Sequence, residues 1–277
     1  MEDTGSNVPG SFMTAKTIWD MAVIPALMNS AECWFDVPKE ALDKLFKLEC
    51  TFYQAILNSP VTCPKPGLFW FTGGILPRNK IIEKKLLFLK HIVQLNKQTL
   101  ASEVLNVQRE LELPGLWSES LDFFRELDIS LDDLFSTSKQ QFKTLVRQAL
   151  VSKNRDDLLR MIEPYKKLNI IDLTNEEFET KKYMYEMSLS QVRTKFAIDT
   201  NMLRTVKSLF PSDQKFSDDL WRCDQCSRID SIRHLTRCPY FSELRENKNL
   251  QSNEEDLVTY FQEVVQIRME YEQDQLS

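Results

Sequence analysis

The sequence predicts an all-α fold: a multi-helix bundle followed by a small Cys3His zinc module near the C-terminus. Three observations carry that expectation. Glycine is scarce, 6 in 277 residues, while charged residues reach 27%, a balance that suits helices better than turn-rich sandwiches or barrels. Apolar residues recur at intervals of three and four, with almost no sustained alternation of period two. Finally, Cys223, Cys226, His234 and Cys238 lie within WRCDQCSRIDSIRHLTRCPYF, spaced C-x2-C, seven residues, then H-x3-C.

Taken in order, residues 1–12 are polar and predicted to be disordered. A helix is expected from Thr14, with Ile18, Trp19, Ala22, Val23 and Leu27 on a buried face. Val37-Pro38 opens the next helix, Lys39 to about Leu57. Asn58 to Gly67, with three prolines, is expected to be a loop, and an aromatic cluster ending at Gly73-Gly74 follows it. Strong amphipathic patterning then covers Arg78 to Asn96, Thr99 to Leu111 and Ser118 to Leu127. A capped segment follows at Ser130. Ser138 and Gln141 form a capping box for a helix running to about Ile162. A soft boundary falls at Pro164 to Thr174, giving 13–165 and 175–250 as the main units and 251–277 as a C-terminal helix. Within the second unit, Ser190 to Phe210 is predicted helical.

Composition narrows the function. A net charge of -6 speaks against wholesale coating of nucleic acid, though not against a local basic patch. The acidic, polar N-terminus has no character of a secretory or transit signal, and Met21 to Met28 is too short to span a bilayer. The expected location is nuclear or cytoplasmic, with no membrane association. Cys33 and Cys50 are expected as small core residues and Cys63 as an inert loop thiol.

The Cys3His set suits metal for a geometric reason. A C-x2-C step lets two thiolates meet inside a tight turn, and H-x3-C puts imidazole and thiolate on one face of a helical turn. Four protein ligands close a tetrahedral shell with no position left for water, which marks a structural Zn2+ rather than a catalytic one. Arg222, Arg228, Arg233 and Arg237 surround these ligands, with Arg245 and Lys248 shortly after. A second basic strip, Arg78, Lys80, Lys84, Lys85 and Lys90, runs along an amphipathic helix. Both strips are candidate phosphate contacts.

Three segments, in order, resemble the C-terminal part of non-LTR retrotransposon reverse transcriptases, downstream of the catalytic palm. KTIWDMAVIPALMNSAECW is similar to the thumb helix and its Ala-Glu-x-Trp ending, with Asn29-Ser30 where the family has Tyr-Gly. GGILPRNKIIEKKLLFLKHIV resembles the Leu-Pro-x-Arg stretch and the basic helix after it. The cysteine segment, with Pro239 after its last cysteine, is similar to the family's zinc-binding segment, where the His-to-Cys gap is often one residue longer. The resemblance spans roughly residues 16–240. It implies a thumb and connector region, a structural zinc, and RNA or DNA as a partner.

The family's palm and fingers are not in this sequence. FSDD, Phe216 to Asp219, matches the polymerase aromatic-x-Asp-Asp core only as letters, because two-metal transfer also needs a third carboxylate on a rigid sheet. Asp132-Asp133 and Asp156-Asp157 are expected as helix-start acids, and His91 as an ordinary helix residue. The expected function is therefore non-catalytic: a zinc-binding, nucleic-acid-binding remnant or fragment of a retroelement polymerase. The alternative is a helical protein-interaction module with a structural zinc, using the acidic C-terminal helix as its contact surface.

Overall fold

The computed structural model describes residues 11–165, 178–200, 202–203, 223, 226, 228, 231–246, 248, 250 and 253–276. Every regular element among them is helical, and no helix among them is long and apolar enough to cross a membrane.

The chain enters through α1 (Ser11–Ile18), a wider π-type turn (Trp19–Val23) and α2 (Ile24–Leu27). The wide turn has a local cause. Pro25 offers no amide and its ring collides with the carbonyl four residues back, so the helix loosens just upstream. Ile24 N–H accordingly reaches Trp19 O. The predicted disorder to residue 12 ends too late, because α1 starts at Ser11 and Phe12 is buried.

α3 (Lys39–Leu57) has the predicted bounds. α4 (Lys65–Thr72) is a correction: the loop expected through Gly67 ends earlier, and the aromatic cluster is a buried helix. Pro66 occupies its first turn, where no amide bond is missing. α5 (Pro77–Val93), α6 (Leu100–Glu110), α7 (Leu116–Glu126), α8 (Leu131–Ser136) and α9 (Lys139–Ile162) follow. Ser138 and Gln141 form the expected capping box. Helix stops recur as one device, a left-handed residue followed by an amide bonded five residues back. Asn58, Gly73, Glu112 and Asp128 hold that conformation, and Ser59, Gly74, Leu113 and Ile129 donate to Gln54, Phe69, Gln108 and Phe124.

α9 organises the bundle. Its buried residues Phe142, Val146, Leu150, Asn154, Leu158 and Ile162 recur every four positions. Four residues turn a helix by roughly 400°, so this stripe winds about 200° over its length. Its first half faces a core built from α5 to α8. Its second half faces α3 and α4, with their stacked aromatic rings. Asn154 is the one polar member. Its Oδ1 accepts from Leu76 N–H at 2.8 Å and from Asn79 Nδ2 at 3.1 Å, and its Nδ2 donates to Gly74 O at 3.2 Å.

α10 (Tyr183–Glu186) and α11 (Leu189–Asp199) come next. α11 ends at Asp199, capped by Thr200, short of the predicted Phe210; residues 204–210 lie outside the described set. The expected boundary near 164–174 also falls largely outside it. On either side, Leu158 and Ile162 share a core with Tyr183, Val192 and Phe196. Beyond it lie α12 (Ile232–Leu235), a short 3-10 turn (Pro239–Phe241), α13 (Ser242–Glu246) and α14 (Glu254–Leu276).

Candidate metal centre

Three short pieces deliver the four predicted ligands to one point. Cys223 and Cys226 sit on a turn in which Cys226 N–H donates to Cys223 O at 3.3 Å and Cys223 N–H to Arg228 O at 2.6 Å. His234 lies on α12, where the Ser231 hydroxyl caps the helix by accepting from His234 N–H at 3.1 Å. Arg237 N–H then donates to His234 O at 2.8 Å and turns the chain toward Cys238. Pro239 opens the next turn, where an amide would have no partner.

The ligand atoms all lie within 4.8 Å of one another. Cys226 Sγ is 3.3 Å from His234 Nε2 and 3.7 Å from Cys238 Sγ. A tetrahedral shell with metal–sulfur bonds of about 2.3 Å has sulfur–sulfur edges of about 3.8 Å, so the second spacing matches. It is far beyond the ~2.05 Å of a disulfide, and the thiols are free. The group can hold a metal ion. Cys223 and Cys238 are buried, whereas Cys226 and His234 are half-buried. Burial pushes the Cys238 thiol above its usual range; a bound cation would favour the thiolate instead.

α14 supports this centre from below. Tyr260, Phe261 and Val264 pack with Leu235 and Phe241 around the two buried cysteines. Tyr260 Oη donates to Leu235 O at 2.6 Å and Arg245 Nη1 to Cys238 O at 2.5 Å. Both bonds fix the backbone beside a ligand. Tyr260 stands in the sequence as one apolar position among six, and no local signal marks its partner. The apolar face of the C-terminal helix packs here and against α11, where Gln262 Nε2 meets Ser190 Oγ at 3.0 Å.

The basic residues divide into two groups. Arg228, Arg233 and Arg237 are exposed and have no acidic partner among the described residues; Arg222 lies outside them. The α5 strip is a correction. Lys85 is 2% exposed and paired with Glu119, and Lys84 Nζ donates to Met28 O at 2.9 Å. Lys80 reaches the buried Glu49 at 2.6 Å, and Arg78 grips Glu126. Lys90 Nζ bonds the carbonyls of Leu134 and Thr137 at 2.5 and 2.6 Å, closing the C-terminal end of α8. Each of these cations makes a contact within the helical bundle.

Asp132 lies in the first turn of α8 as expected, but Asp156 and Asp157 lie well inside α9, with Asp157 paired to Lys153 and Arg160. FSDD is outside the described residues. His91 is exposed in the last turn of α5. Cys33 is exposed rather than in the core. Cys50 and Cys63 are buried, and burial raises the Cys50 thiol to about 12, which leaves it unreactive. Comparison with protein-family models, curated proteins and solved structures finds no match to this chain.

Proposed function

We propose that this chain is a non-catalytic nucleic-acid-binding protein whose basic tip is stiffened by one structural zinc, derived from the C-terminal region of a non-LTR reverse transcriptase. The convergence of four ligand atoms within 4.8 Å carries the reading, because it sets exposed arginines on a segment that metal holds in one shape. Three thiolates and an imidazole suit zinc by softness and by coordination number. Metal binding of this kind contributes roughly 10–16 kcal/mol in finger peptides. Arg233 and Arg237, four apart around His234, would meet phosphates at low ordering cost.

One backbone detail supports the lineage. Ser30, which stands where the family has glycine, holds the left-handed conformation at φ 56°. That conformation favours glycine and disfavours other residues.

The test is anisotropy titration of an RNA hairpin and an RNA–DNA hybrid between about 50 and 200 mM salt. Three phosphate contacts predict a log–log salt slope of about -2 to -3. Combining Arg233→Glu with Arg237→Glu should abolish most of that slope. Absent or salt-insensitive binding would remove the reading.

A further inference from the structure

α6 carries an apolar stripe that none of the described residues covers. Leu100, Val104, Val107 and Leu111 are 75%, 48%, 46% and 65% exposed. Their spacing of four, three and four is that of a helix–helix seam. The opposite face of α6 is firmly seated, with Ser102 and Leu105 buried. Thr99 caps its start, and the Arg109 guanidinium lies 5.4 Å over the Trp117 ring. The left-handed Glu112 closes its end. The stripe is therefore a fixed surface on an anchored helix rather than a fraying end.

Its rim is acidic. Glu103, Glu110 and Glu112 are exposed along it and have no basic partner among the described residues. Two exposed cations lie nearby in the chain: Lys97 before the helix, and Arg109, which sits over the Trp117 ring on the side of α6 away from the stripe. This charge decides what fits. A second copy of the same helix would set Glu103 and Glu110 against their own counterparts, which is unfavourable. A partner helix with an apolar stripe flanked by Lys or Arg meets the charge requirement that a second copy fails.

We infer that the exposed face of α6 docks a short, basic amphipathic helix of a partner protein, independently of the metal centre. The complex is held by Val104 and Val107 at its middle and selected by Glu103 and Glu110 at its edge. A contiguous exposed apolar patch with a polar rim is the kind of surface that marks an interaction site.

The probe is a labelled synthetic peptide of three helical turns with Leu at the seam positions and Lys on both flanks. Its control has Glu in place of each Lys. Anisotropy with the full chain should show the Lys peptide binding and the Glu peptide at least about tenfold weaker. Val104→Asp with Val107→Asp should weaken the Lys peptide about tenfold or more with the thermal melt unchanged. Should that variant unfold, Glu103→Lys with Glu110→Lys supplies the test on surface residues alone, and should reverse the preference between peptides. Equal binding of the two peptides, or no binding of either, overturns the inference. So does a dimer in light scattering that Val104→Asp converts to monomer, since a second copy would then occupy the stripe.

Discussion

The phenol of Tyr260 donates a 2.6 Å hydrogen bond to the carbonyl of Leu235, the residue directly after His234. A helix far along the chain thereby fixes the backbone beside the candidate ligand His234, and the carbonyl it holds is buried. Tyr260→Phe keeps the ring and removes the bond, leaving that acceptor unpaired at about 1–3 kcal/mol. Loss of a partner behind a ligand typically weakens metal affinity about 10–100-fold. Competition with a chromophoric chelator should show a loss in that range. An unchanged affinity would mean that α14 does not position the centre.

Asn154 ties α9 to the stretch from Gly74 to Asn79 that leads into α5. Asn154→Leu fills the same space and strips partners from Leu76 N–H, the Asn79 amide and Gly74 O. The expected loss is about 3 kcal/mol in urea unfolding, with an unchanged slope against denaturant. A loss under about 0.5 kcal/mol would show that these groups find other partners.

Glu126 predicts a pH dependence. Arg78 bonds both of its oxygens, at 2.5 and 2.8 Å, and Lys153 approaches at 2.8 Å. The Arg78 bond foremost, and Lys153 after it, hold the carboxyl well below its ordinary range, to about 2. The folded state therefore gains from the ionised form. That stabilisation is complete above about pH 4.5 and disappears as pH falls through about 2. Glu126→Gln should melt below the parent at neutral pH, and the gap should narrow between about pH 4 and 2. A gap that stays constant down to pH 2 would assign the effect to packing instead.

Much of the helical order is written locally. Ser138 with Gln141 and Pro38 before α3 are start signals with a direct physical cause, and both elements begin where those residues place them. The ligand set was equally legible, since C-x2-C and H-x3-C constrain geometry within one turn each. Two kinds of feature were not. Pro64 and Pro66 suggest a loop, yet Pro66 is harmless in a first turn and the buried aromatic residues after it drive α4. The α5 lysines look like a basic face because spacing along one helix is silent about distant acids. Glu119 lies 34 residues from Lys85, and Glu49 lies 31 from Lys80.

Zinc K-edge absorption on chain purified without chelator, paired with elemental analysis, tests whether Cys223, Cys226, His234 and Cys238 hold an ion. The account predicts one zinc per chain with three sulfurs at about 2.3 Å and one nitrogen at about 2.0–2.1 Å. Cys226→Ser should leave fewer sulfurs in the shell and a weaker complex. Folded chain that carries no stoichiometric zinc, and takes up none when it is supplied, would contradict it.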